Sequence, residues 1–167
     1  MQIIFVHHAE RDKKIQIGSN QEDDITTLGK EDAKITAKLL ENASKKLNIM
    51  AIYTSPFKRC MHTAEIINKR LHLPIFKDER LNEFKAFKPD ETWVELQQRI
   101  MDAIKDVVLK HDNDPKNAAI MITSGVNIAG FINVAYKIKP TKDTPFIGVP
   151  SCSPIGFKID KSYFENK

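Results

Sequence analysis

The chain opens on a short apolar run, Met1-Gln2-Ile3-Ile4-Phe5-Val6, which stops at the polar tetrad His7-His8-Ala9-Glu10. A run this short, rich in β-branched residues, reads as a buried strand of a parallel sheet. Asp12 to Asp24 is polar, contains Gly18-Ser19-Asn20, and reads as a surface loop. Thr26 or Thr27 is placed to cap the helix that follows. Its apolar positions are Leu28, Ala33, Ile35, Ala37, Leu39 and Leu40, and it ends near Ala43-Ser44. Ile49 to Tyr53 is a second strand, followed by Thr54-Ser55-Pro56. Pro56 suits the first turn of a helix from Phe57 to Leu71 that Pro74 ends. Ile75 to Lys77 is a short strand. Asp78 to Glu91, with Phe84, Phe87 and Pro89, reads as an irregular loop. From Glu91 to about Lys110, Trp93, Leu96, Ile100, Ala103, Ile104, Val107 and Val108 recur at helical spacing. Asn113-Asp114-Pro115 is a turn. Ala118 to Ile122 is the strongest buried-strand signal and ends at Thr123-Ser124-Gly125. A helix from about Val126 to Tyr136, a loop marked by Pro140, Pro145 and Pro150, and a last strand from Ser153 to Ile159 complete the chain.

This alternation predicts an α/β protein: a mostly parallel sheet with helices on both faces, a three-layer α/β/α sandwich. The length of 167 residues suits one domain, 1–167. With 41% hydrophobic and 29% charged residues, the composition is that of a soluble globular protein. No run is long enough to span a bilayer, and the start has no signal-peptide pattern, so no membrane is expected and the cytoplasm is the default compartment. Cys60 and Cys152 form no close-spaced pair, so neither a disulfide framework nor a metal site is expected. A net charge of +4, spread along the chain, mildly favours anionic partners and is too small to argue for nucleic acid.

The chemistry concentrates where strands end. Ligands of open α/β sheets bind beyond the carboxyl ends of the strands. Three such ends carry His7-His8, Thr54-Ser55 leading to Arg59, and Thr123-Ser124-Gly125. The last two start helices, whose free N–H groups attract anions. Arg59 adds a planar fork matched to phosphate oxygens. An imidazole beside a phosphate site is a candidate nucleophile.

On these residues the chain resembles the histidine phosphatase superfamily, the clan of cofactor-dependent phosphoglycerate mutases. Phe5-Val6-His7-His8-Ala9-Glu10 is similar to the family's L-V-R-H-G-E. Leu28 to Ala33, with Thr26 or Thr27, resembles L-T-x-x-G-x-x-Q-A. Tyr53 to Glu65 closely matches Y-S-S-P-L-x-R-A-x-Q-T-A-E, Arg80-Leu81-Asn82-Glu83 is similar to R-L-x-E, and Ile120 to Gly125 sits where the family has V-V-S-H-G. The resemblance implies the phosphoglycerate mutase-like fold. It makes His8 the phospho-accepting histidine, Glu83 the proton donor and Arg59 a phosphate-binding arginine. It places His7, Ser124 and Gly125 in the substrate pocket. His62, standing where glutamine is usual, is a candidate for the rim. The implied cofactor is none. The implied partner is a small phosphorylated substrate or a phosphorylated protein side chain.

Three positions depart from the pattern. His7 replaces the first arginine, Ala9 the glycine after the nucleophile, and Ser124 the second histidine. An unperturbed His7 is largely neutral near pH 7, and a serine offers one neutral hydrogen bond. Hydrogen bonds to charged groups contribute about 1.5–3 kcal/mol each, so losing two slows chemistry roughly 10²–10⁴-fold. A family glycine with positive φ would make Ala9 strained. The expected function is a weak or retuned phosphomonoester hydrolase; the alternative is a catalytically silent phosphate-binding or interaction module. The short middle loop favours hydrolysis over mutase transfer. Plainer readings stand beside these: Ser124 as a helix cap, Glu83 as an ordinary loop acid, His72 and His111 as helix-end residues, Cys60, Trp93, Phe84 and Phe87 as packing.

Overall fold

The computed structural model describes residues 1–12, 21–86, 88–111, 114–138 and 148–165. The predicted turn centres at Gly18-Ser19-Asn20, Asn113 and Pro140 to Pro145, together with Phe87, lie outside these residues. Five strands are observed: β1 (Gln2–His7), β2 (Asn48–Thr54), β3 (Ile75–Lys77), β4 (Asn117–Thr123) and β5 (Pro154–Lys158). They alternate with α1 (Thr27–Ala43), α2 (Lys58–Leu71), α3 (Trp93–His111) and α4 (Gly125–Ala135), and a one-turn helix α5 (Ser162–Glu165) follows β5. A 3-10 turn spans Glu79–Leu81.

The sheet order is β3-β2-β4-β1-β5. The β1–β4, β2–β4 and β2–β3 pairs are parallel, and only β5 runs antiparallel, along β1. The carboxyl ends of β1, β4 and β2 are therefore adjacent on one edge, which puts the three polar strand ends side by side.

Period-2 alternation sorts the central strands onto two cores. Ile4, Val6, Ile52, Ile120 and Ile122 face α1 and α2, where they meet Ala37, Leu40, Ala64 and Ile67. Ile3, Phe5, Tyr53, Ala119 and Met121 face α3 and α4, where they meet Leu96, Ile100, Ile104, Ile128 and Phe131. This is the expected three-layer sandwich.

Helix α1 corrects one expectation. Its N-cap is Thr26, whose Oγ1 accepts from Gly29 N–H at 2.9 Å. Its inward face is Gly29, Ala33, Thr36, Ala37 and Leu40, without Leu28, Ile35 and Leu39. Leu28, Ile35 and Leu39 are 62%, 57% and 52% exposed. At the helix start the packing is close. The Gly29 position lies against the Glu10 backbone, where an added Cβ would stand 2.8 Å from the carbonyl oxygen, so only small residues fit beneath the helix start.

Candidate functional site

His8 immediately follows β1 and is buried. Its Nδ1 lies 2.8 Å from the Ala9 carbonyl oxygen. A carbonyl can only accept, so Nδ1 carries the proton and Nε2 the lone pair. Arg59 Nε–H donates to that lone pair at 3.1 Å. Burial pushes the His8 pKa down to about 3, reinforced by the neighbouring His7 and the Arg59 and Arg11 charges and opposed by the Ala9 carbonyl. The ring is a neutral imidazole with a defined tautomer, its Nε2 lone pair engaged by Arg59.

Ala9 is not among the residues with positive φ. Its methyl packs in a small cluster with Ile25, Ala33 and Cys152. Its N–H donates to Thr63 Oγ1 at 3.0 Å, and Thr63 in turn donates to the Arg59 carbonyl at 2.6 Å. The strand end therefore accepts alanine without backbone strain and is tied to the first turn of α2.

Arg59, in that first turn, is only 1% exposed. Besides reaching His8, it donates from Nη2 to Glu83 Oε2 at 2.5 Å. Its guanidinium carbon stands 4.8 Å above the Phe57 ring. Arg59 sits behind His8 and Glu83 and reaches the cavity through them.

The Glu83 loop is held by a polar network that sequence reasoning missed. Thr123 Oγ1 donates to the Leu81 carbonyl at 2.6 Å. Asn127 Nδ2 donates to the Asn82 carbonyl at 2.8 Å, and Ser55 Oγ donates to Asn82 Oδ1 at 2.6 Å. Beneath the loop, Arg99 of α3 forms a buried fork with Glu91, Nε–Oε1 2.6 Å and Nη2–Oε2 2.9 Å. Its Nη1 donates to the carbonyls of Arg80 and, at 2.9 Å, Asn82. Phe84 packs edge-on against Trp93, as the packing reading expects.

His7 points its Nδ1 at the Val149 carbonyl, 2.7 Å away. Burial lowers its pKa, only partly opposed by that bond and the Glu83 charge. As a neutral ring donating from Nδ1, it offers the cavity an acceptor at Nε2, the wrong polarity for an ionised phosphate oxygen. Gly125 makes room for this ring, since a Cβ there would lie 3.1 Å from His7 Cε1. Ser124 occupies the N-cap of α4 but makes no capping bond. Its buried Oγ has no hydrogen-bond partner. An orphaned hydroxyl at a helix start is suited to a polar ligand, and this weighs against the capping reading.

These groups share one cavity of about 580 Å³, lined by His7, His8, Glu83, Ser124 and Gly125, with Glu10, Arg11 and Val149 on its other walls. Of the residues the sequence reading assigns to one hollow, His7, His8, Glu83, Ser124 and Gly125 line it, whereas Arg59 does not: its buried guanidinium lies behind them, bonded to His8 and Glu83. His62 is engaged elsewhere: its Nδ1 meets Asp24 Oδ1 at 2.5 Å, and it is not among the residues lining the cavity. His72 is the left-handed C-cap of α2, and His111 bonds Tyr53 OH through Nε2 at 2.9 Å. Cys60 is packed in the core, where burial pushes its thiol up to about 12. Arg11 and the Val149 carbonyl were not anticipated. Arg11 was legible as a cation just past a strand end; a backbone carbonyl 142 residues from its partner leaves no mark in sequence. Among the described residues, no cluster of His, Cys, Asp or Glu is arranged to hold a metal, and no helix is long and apolar enough to cross a membrane.

A strand-end imidazole of fixed tautomer, a guanidinium behind it and a helix start across the hollow thus stand together at the carboxyl edge of an α/β/α sheet. Residues 3–87 match the model of the histidine phosphatase superfamily, branch 1, and the chain belongs to that superfamily. Over 85 residues it is 35% identical to the uncharacterized phosphatase PhoE of Bacillus subtilis, covering 50% of this chain and 40% of that protein. Over 83 residues it is 34% identical to the probable phosphatase C1620.13 of Schizosaccharomyces pombe, covering 48% of this chain and 28% of that one. The matched stretch spans less than half the length of either curated relative. Among solved structures, YhfR of Bacillus stearothermophilus shares the fold with a TM-score of 0.74 at 21% identity, over 95% of this chain and 91% of its own. The sheet and its flanking helices are those of the phosphoglycerate mutase-like fold.

Proposed function

We propose that this protein hydrolyses phosphomonoesters through a phosphohistidine on His8 Nε2. The observation that carries the reading is the state of that ring. Its proton is pinned on Nδ1 by the Ala9 carbonyl, and its lone pair is aimed at Arg59 Nε–H in a cavity shared with Glu83. A phosphate entering this space takes over the N–H groups that Arg59 now gives to His8 and Glu83. Nε2 then attacks phosphorus, and the ester P–O bond breaks. Glu83, its ion pair with Arg59 given up, is the proton donor to the leaving oxygen. In the second step Glu83 takes a proton from water, the water oxygen attacks phosphorus, the N–P bond breaks and phosphate departs. The N–H groups at the start of α4 and the orphaned Ser124 hydroxyl contribute charge stabilisation that needs no side-chain cation.

The substrate is a small phosphoester or a phosphorylated protein side chain, and the compartment is the cytoplasm. A binding-only role is the second reading. It is favoured by the neutral His7 ring, which turns an acceptor toward the phosphate.

One experiment addresses both. Hydrolysis of p-nitrophenyl phosphate is followed from pH 5 to 8 for the full chain and for His8→Ala, with acid-labile phosphorylation of the protein trapped by rapid quench. The expected result is slow turnover and a trapped phosphoprotein, both lost in His8→Ala. Equal turnover in the two proteins refutes the hydrolase. Phosphate-dependent thermal stabilisation without turnover establishes the binding-only reading.

A further inference from the structure

The cavity is poor in directly presented positive charge. His7 is neutral, Ser124 gives one hydroxyl, and Arg59 is buried behind His8 and Glu83. Two carboxylates, Glu10 and Glu83, line the same space. Arg11 is the one lysine or arginine among the described residues that line it.

We propose that Arg11 supplies the second guanidinium to the substrate phosphate, in place of the cation that position 7 does not provide. This rests on reading the cavity as a phosphoryl-transfer site. The backbone around Arg11 is fixed. Arg11 pairs with Ile25 in an antiparallel bridge, Asp12 N–H donates to the Asp24 carbonyl at 2.7 Å, and Thr26 N–H donates to the Glu10 carbonyl at 2.9 Å. The side chain therefore leaves an anchored segment three residues past the nucleophile. Its Nη1 stands 3.4 Å from Asp23 Oδ2, longer than a tight charge-assisted bond. A phosphate entering the cavity competes with Asp23 for this guanidinium. The Arg11 charge also reaches His8, where it helps keep the imidazole neutral. One guanidinium thus favours the free nucleophile and meets the incoming anion. A fork at position 11 does from the loop what an arginine at position 7 would do from the strand.

The test uses the full chain, with inorganic phosphate and p-nitrophenyl phosphate as probes. Arg11→Gln is expected to weaken phosphate binding and raise KM about 10- to 100-fold, the size of one charge-assisted hydrogen bond. Arg11→Lys is expected to recover part of this, because a point charge lacks the fork. The double variant His7→Arg with Arg11→Gln is expected to bind better than Arg11→Gln alone. Asp23→Asn, which removes this one ion pair but keeps the guanidinium, is expected to bind phosphate as the parent does. Thermal unfolding of each variant reports whether the fold is intact. Arg11→Gln binding phosphate within twofold of the parent overturns the proposal, as does Asp23→Asn losing as much as Arg11→Gln. If turnover survives in His8→Ala, or the parent binds no phosphate, the underlying reading falls instead. Loss of activity in His8→Ala with Arg11→Gln unaffected refutes the role of Arg11 alone.

Discussion

Replacing Arg99 with methionine probes the network beneath the Glu83 loop. The Arg99–Glu91 pair is buried, with side-chain exposures of 6% and 2%. It is a two-bond fork, supplemented by donation to the Arg80 and Asn82 carbonyls. Arg99→Met leaves a carboxylate desolvated with Lys85 N–H, 3.1 Å away, still donating to it. Breaking a buried pair from one side costs about 3–5 kcal/mol. For a chain of this size that lowers Tm by roughly 6–20 °C. Removing both charges, as in Arg99→Met with Glu91→Leu, takes away the uncompensated ion and is expected to recover most of the loss. Urea unfolding of the parent, both single variants and the double gives the coupling energy, with an unchanged m-value showing that the unfolded state is not at issue. Function separates the electrostatic effect from the positional one. In the stabilised double variant the Arg80 and Asn82 carbonyls still lack their donor, so the acid loop is loosened and kcat falls more than KM rises. An Arg99→Met cost below about 1 kcal/mol, or losses that simply add, would refute the reasoning.

Two further predictions follow from the strand end. The His8 pKa is near 3 in the folded protein against an ordinary 6.5, and His7 is also lowered. Between these values the unfolded chain binds more protons, so stability is complete above pH 6.5 and declines as pH falls toward 3. His8→Asn is expected to flatten that decline in melts from pH 7 to 4, and an identical slope would contradict the assignment. Gly29→Ala would place a methyl 2.8 Å from the Glu10 oxygen and 3.0 Å from its nitrogen. We expect a loss of about 1–3 kcal/mol and weaker phosphate binding through displacement of the Glu10–Arg11 segment; unchanged Tm and affinity would show that the segment yields freely.

The sequence alone determined the five strands and the four long helices, because their signals are local; the 3-10 turn at Glu79–Leu81 and the one-turn helix α5 were not foreseen. The period of apolar residues, the β-branched runs and the prolines after Ser55 and Leu73 act within a few residues of themselves. Parallel alternation then brings the ends of β1, β2 and β4 to one edge, so His7, His8, Ser124 and Gly125 could be assigned to a common site before any coordinates. Which α1 residues face inward was decided by tertiary structure: the helix start lies close on the Glu10 backbone at Gly29, and Leu28 and Ile35 are left exposed. So were the polarity of His7, set by a carbonyl 142 residues away, and the relaxed backbone at Ala9. The pairing of Arg59 with both His8 and Glu83, and the arrival of Arg11 at the same cavity, depend on how loops from separate crossovers meet. Hydrogen-bond partners far apart in the chain have no periodicity to betray them; they exist only once the packed layers fix the distances between them.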